Sequence, residues 1–206
     1  MTNVFTTPEK KDRRARLFQV GIEALQQQGW KADRIKGFGS SVRLITKGGK
    51  SRKVSIRTSQ DTWIAFPRNH EDNGWGTLSE VDVVIAVSVD DRHNPKFAQV
   101  HMIEASEMRE RFDRAYAARI KEDYQIPLGR GVWVPLYHPD EKDPVTHVGG
   151  GAGNDHPPIA RVPLDPEDSD EDTDGEERPL TMAEAKRRLA LTLGVDPSHI
   201  RITVEA

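Results

Sequence analysis

A mixed α/β (or α+β) fold, with a sheet of five to six strands flanked by two main helices, is what the 206-residue sequence predicts. Three observations carry that expectation. Two segments, from Thr7 to Gly29 and from Ser106 to Ile120, repeat apolar residues at helical spacing. Between them lie short runs with the period-2 alternation of strands, each bounded by turn residues. The run Glu80–Val89 is apolar and β-branched enough to be a strand buried on both faces.

The elements follow in order. Thr7-Pro8-Glu9 reads as a helix start, with Thr7 as N-cap, proline in the first turn and an acid beside it. Ala15, Phe18, Ile22 and Leu25 form its apolar stripe, and Gly29 ends it. Trp30–Ser41 is a glycine-punctuated connection. Val42–Thr46 is a short strand, and Lys47-Gly48-Gly49-Lys50 turns it into a hairpin with the strand that starts near Arg52. In that strand Val54 and Ile56 alternate with Ser55 and Arg57, an apolar face against a polar one. Thr62–Phe66 is a further strand, reached after a polar turn. Arg68–Thr77 is a polar loop whose Trp75 either stacks on a partner or lids the core.

After the buried strand, Lys96–Ile103 is its expected neighbour. Ser106 is placed to cap a helix in which Met108, Phe112, Ala115, Tyr116 and Ile120 share a face. Gly131–Tyr137 is a last strand, at an edge because of Pro135. These elements make a core domain, residues 1–137. Residues 138–178 have no apolar periodicity and many Pro, Gly and acidic residues, the composition of a disordered linker. Residues 179–206 then hold a capping box (Thr181, Glu184), an apolar stripe and an Ile200–Val204 strand, a docking element too short to fold alone.

Charge is unevenly distributed. The net value of −3 conceals nine acidic and no basic residues in Asp165–Glu177, and fourteen Lys/Arg against four Asp/Glu in residues 1–60. A local excess of +10 attracts a polyanion, because neutralised phosphates release counterions. The plainer reading is a solvated basic surface balanced by the acidic run. With no cysteine there is no disulfide, zinc ribbon or thiol nucleophile. The N-terminus lacks the apolar core of a signal peptide, and no run approaches the ~18 apolar residues of a membrane span. A soluble, cytoplasmic protein without membrane partners is expected.

Several patterns carry no chemistry. Pro139-Asp140-Glu141-Lys142 sits in a loop. Gly149-Gly150-Gly151-Ala152-Gly153 lacks the Gly-Lys-Ser/Thr of a phosphate loop and reads as flexible linker. His138, His147 and His156 recur nine residues apart with nothing to converge them. No catalytic residue, metal site or cofactor is expected.

The order helix, strand, hairpin, strand, buried strand, strand, helix, together with Val54-Ser55-Ile56-Arg57-Thr58-Ser59-Gln60, resembles the PD-(D/E)xK (restriction-endonuclease-like) nuclease superfamily over about residues 8–120. The resemblance implies a mixed sheet flanked by helices, with paired carboxylates holding a metal that activates water and a Lys at the phosphate. Here Ser55 stands at the acid position, Arg57 at the Lys, and Arg43 on the preceding strand. Serine and arginine cannot hold magnesium, which needs anionic oxygens. The implied protein binds phosphate on a degenerate nuclease-like scaffold without cleaving.

The expected function is therefore non-catalytic binding of DNA or RNA on a basic sheet face. Arg43, Lys50, Arg52, Lys53 and Arg57 meet phosphates, and Gln60 and Trp63 lie nearer the bases. The competing reading has these charges solvated, Arg57 paired with a local acid and Trp63 in the core. The acidic run would compete for the basic face. Two other classes stand beside this one: a protein–protein adaptor, or self-association, through residues 179–206, and a metal-dependent nuclease using relocated acids from Glu23, Asp33 and Asp61.

Overall fold

In the computed structural model, which describes residues 7–164 and Ile200, the first element is helix α1 (Pro8–Gln27). Thr7 caps it, its hydroxyl accepting from the Lys10 amide, and Gly29 closes it at φ +81°. The face it buries is Leu17, Val20, Gly21, Ala24 and Leu25, with Phe18 and Ile22 at the flank and Ala15 exposed. The expected stripe is thus rotated. Gly21, invisible to a hydropathy pattern, marks its centre: a Cβ there would stand 2.9 Å from a Val87 methyl. Only glycine lets the helix lie so close to the sheet.

Eight strands follow: β1 (Lys31–Arg34), β2 (Val42–Lys47), β3 (Lys50–Ser59), β4 (Trp63–Pro67), β5 (Val83–Val89), β6 (Phe97–Glu104), β7 (Gly131–Pro135) and β8 (Ala160–Pro163). Helix α2 (Ala105–Lys121) lies between β6 and β7, and the single turn α3 (Ala152–Asp155) before β8. Six strands form one sheet in the order β1-β2-β3-β5-β6-β8, with only β3 and β5 parallel. The β2–β3 hairpin turns at Gly48 and Gly49, both at positive φ, as a two-residue primed turn requires. Strand β1 occupies the stretch expected as a connection. It is four mostly polar residues long, and its pairing with β2 rather than any alternation defines it.

Strand β4 does not join this sheet. It pairs with β7 in a separate two-stranded ribbon that covers one face together with α2. Alternate residues of the central strands therefore enter two cores. Ile45, Val54, Ile56, Val83, Ile85 and Val87 meet α1. Val42, Val84, Ala86 and Ile103 meet Phe66, Ile64 and the α2 residues Met108, Phe112 and Ala115. All seven residues of β5 are buried, as its composition predicts. Each buried valine or isoleucine contributes roughly 1.5–3 kcal/mol of burial.

Helix α2 begins one residue before the expected cap, with Glu104 in the extended cap position and no side-chain cap bond. Ile120 is exposed, and Arg111 and Arg119 take buried positions instead. Backbone carbonyls make this possible: Arg119 donates to Ala115, Trp133 and Thr146, and Arg111 to Gly150. Trp75 lids the core, its Nε1 donating to Asp113 at 2.7 Å.

The largest departure from expectation is residues 138–164, read from composition as linker. They form a short 3-10 turn (Val145–His147), α3 and β8, which pairs antiparallel with β6. The glycine run is tightly packed: a Cβ on Gly150 would stand 2.6 Å from the His138 carbonyl oxygen. Its glycines serve close backbone approach rather than flexibility, and a helical turn does begin at Ala152. The acidic run 165–177 and the helix–strand expected in 179–206 lie outside the described residues. Among the described residues no helix is long and apolar enough to cross a membrane.

Candidate functional site

The seven residues expected on one basic face fall into two groups, because alternation along β2 and β3 sends them to opposite sides of the sheet. Arg43, opposite Val54, lies on the α1 side, buried, its guanidinium over the Phe18 ring and donating to the Ser40 and Val42 carbonyls. Arg52 is on the same side and pairs with Glu104, whose hydrogen bond raises its pKa. Lys53 faces the other way, over the Phe38 ring, and Lys50 sits exposed at the hairpin. Arg57 lies near the far end of β3, about 23 Å from Lys50 at strand spacing, with Gln60 just past that strand and Trp63 opening β4.

Arg57 is the unusual member. It extends from the α2 side of β3, in the row Arg57–Ala86–His101 across three strands, and its guanidinium stacks 4.3 Å from the Phe66 ring centroid. It takes part in no ion pair among the described residues, and its buried Nε has no hydrogen-bond partner. Two residues back, the hydroxyl of fully buried Ser55 is also unpartnered. Burial, and then the like charge of Arg14, push the Arg57 pKa down to about 10. A desolvated cation without an acceptor is costly, and such costs concentrate where a ligand supplies the missing partner. Because β2 begins only at Val42, opposite Ser55, the edge of β3 beside Arg57 has no strand neighbour on that side. The Gln60 amide donates to the Lys10 carbonyl at 2.7 Å, tying this end of β3 to the basic first turns of α1, where Lys10, Lys11, Arg13 and Arg14 are exposed.

Three residues beyond Gln60 the chain enters the β4–β7 ribbon. Ile64, Phe66, Val132 and Val134 point inward, so Trp63, Ala65 and Trp133 form the outer face. Trp63 lies diagonal to Trp133 and packs beside His138 and His147, whose rings stack 4.5 Å apart. Two of the three recurring histidines are therefore brought together by the fold, as nine-residue spacing alone gives no reason to expect. The third, His156, bonds Glu107. Trp133 is 52% exposed. The two tryptophans border an open groove of about 490 Å³ that Arg119 and Arg130 also line.

A buried polar chain lies on the same side of the sheet. His101, fully buried, meets the His156 carbonyl through Nδ1 at 2.7 Å and the Tyr137 hydroxyl through Nε2 at 2.9 Å. A carbonyl only accepts, so Nδ1 carries the proton and the Tyr137 hydroxyl donates to Nε2. Ser88 lies 2.5 Å from that hydroxyl oxygen. Burial keeps His101 neutral by lowering its pKa. The chain fastens residues 137–156 to β5 and β6.

Glu23, Asp33 and Asp61, the acids considered for a relocated metal site, stay apart. Glu23 bonds Arg16 and Gln19, Asp33 pairs with Lys31, and Asp61 caps its own turn through Ser59 and the Trp63 amide. Among the described residues no three His, Asp or Glu side chains are grouped to hold a metal ion. In Pro139–Lys142, Asp140 receives Arg114 and the Gly149 amide in a loop. Trp133 is not among the expected site residues, although the alternation of Val132 and Val134 about it is a signal that could have found it. Nothing in the sequence signals Arg119 or the histidine pair, which arrive by tertiary contact. No protein-family model, no curated protein and no solved structure matches this chain.

Proposed function

We propose that this protein binds nucleic acid without cleaving it, anchoring the phosphate backbone at Arg57 and the basic first turns of α1. Arg57, whose buried Nε has no hydrogen-bond partner, carries the proposal. It packs over the Phe66 ring and feels the Arg14 charge, and the β3 edge beside it has no β2 partner, so an oxyanion reaching it would meet two cations and relieve their repulsion. Arg43, Arg52 and Lys53 are already engaged and serve the fold. The non-catalytic part rests on residue identity: Ser55 and Arg57 occupy neighbouring positions on one face of β3, where the nuclease resemblance calls for carboxylate and lysine. On this reading the scaffold is a degenerate relative of those nucleases.

The test is fluorescence anisotropy of the full-length chain with labelled DNA and RNA over a salt series, with and without magnesium. Binding should weaken steeply with salt. Arg57→Gln should weaken it severalfold and reduce the salt slope by roughly one contact. No binding at low salt, or an unchanged Arg57→Gln variant, would defeat the anchor. Magnesium-dependent cleavage would defeat the non-catalytic assignment.

A further inference from the structure

The groove beside the ribbon points to a more specific ligand. We infer that Trp63 and Trp133 form a stacking platform for an unpaired nucleobase, so that the preferred ligand is a single strand rather than a duplex. This deepens the phosphate-anchor reading above and rests on it.

Four observations carry it. First, Trp133, one of the four exposed large hydrophobic side chains among the described residues, lines this groove together with the apolar side chains of Ile126, Pro127 and Val132. Exposed apolar surface gathered in one place marks an interaction site. Second, the ribbon leaves the Trp133 indole exposed, while Trp63 beside it is partly covered by His138 and His147. Ala65 is the direct cross-strand neighbour of Trp133, and Gly131 precedes it where a Cβ would stand 2.9 Å from Ala65. Small residues beside a large aromatic keep its face open to a flat ligand.

Third, the groove's charge suits a polyanion. Its lining includes Arg119 and Arg130 and no acid. Arg119 is buried and bonded only to carbonyls, so its charge is not neutralised by a carboxylate there. A second depression differs in carrying two acids, Glu122 and Asp143, beside Lys142. Gln125 and Thr146 add groups that can donate to and accept from a base edge. Fourth, Trp63 follows Gln60 by three residues, and Gln60 is bonded to the basic start of α1. The residues of the phosphate anchor and of the platform are therefore close in sequence, Arg57 meeting Phe66 on the inner side of the ribbon and the indoles lying on its outer face. A duplex keeps its bases stacked inside and offers the indoles nothing flat, whereas a single strand offers one π-face per nucleotide.

The experiment titrates the full-length protein with oligo-dT and oligo-dA, and with the duplex of the two, following tryptophan fluorescence and anisotropy together. Single strands should quench the emission and bind tighter than the duplex. Trp133→Ala should lose roughly tenfold in single-strand affinity while binding the duplex as before, and Trp133→Phe should recover part of the loss. Equal affinity of Trp133→Ala and parent for single strands overturns the platform. So does tighter binding of the duplex by the parent. If Arg57→Gln weakens both ligands while Trp133→Ala weakens neither, the platform alone fails and the phosphate anchor stands. If the parent binds no ligand at low salt, both fail. Trp133 is half exposed on a ribbon, and unchanged far-ultraviolet dichroism and thermal midpoint distinguish loss of the platform from loss of the fold.

Discussion

At the scale of single residues, what a polar side chain does here is decided by which acceptor it finds. Arg111 is buried, which by itself lowers its pKa, yet Asp155 and Glu107 outweigh that and raise it. Arg57 has the same burden without the carboxylates, and its pKa falls. His101 shows the consequence for stability. Its folded pKa is depressed, so the unfolded chain binds the extra proton first, and stability falls where that happens. The stabilisation is complete above ~6.5, the unfolded value, and is lost as pH drops from there toward the lower folded value. Urea denaturation between pH 5 and 8 should show that loss, and His101→Asn should flatten it. A parent curve that is level below pH 6.5 would contradict the assignment of a neutral, buried imidazole. Tyr137→Phe should cost about 1–3 kcal/mol, since it leaves the His101 Nε2 acceptor buried without a donor.

At the scale of elements, legibility followed how local each cause was. Helix α1, the Gly48-Gly49 hairpin and β5 are dictated by their own residues: a cap, two glycines at positive φ, an unbroken β-branched run. Strands β1 and β8 are four residues each, and their identity lies in the neighbours β2 and β6. The candidate site divides the same way. Period-2 alternation along β4 assigns Trp63 a face, but no pattern in the chain says that Arg57 lacks an acid partner or that Arg52 has one in Glu104, fifty-two residues on. The glycine run misleads for a further reason, since composition cannot distinguish glycine chosen for freedom from glycine chosen for lack of a side chain. Gly150→Ala separates the two. Its new methyl meets two backbone carbonyls, of His138 and His147, that cannot swing aside. Overpacking of this kind costs about 1–3 kcal/mol. Hydrogen exchange should then show residues 138–164 opening first while β5 stays protected. Unchanged protection across that segment would restore the flexible-linker reading.

At the scale of the whole molecule, the folded unit needs more chain than its periodic elements suggest. A boundary at Tyr137, where apolar patterning stops, would remove β8 and bare the edge of β6. It would also strip the carbonyl of His156 from His101, Gly150 and Asp155 from Arg111, and Thr146 from Arg119. Each buried donor or acceptor left without its partner costs about 1–3 kcal/mol, and several lost together are a large share of the roughly 5–15 kcal/mol that holds a domain together. An open edge strand is in addition a template for association. Residues 1–137 should therefore aggregate or unfold without a cooperative transition, and residues 1–164 should unfold cooperatively near the midpoint of the full chain. Thermal denaturation with light scattering on the two fragments decides it. Cooperative unfolding of the shorter fragment at the parental midpoint would show that residues 138–164 decorate the fold rather than complete it. The platform would then also lose its support, because Arg119 and Trp63 take their neighbours Thr146 and His147 from that segment.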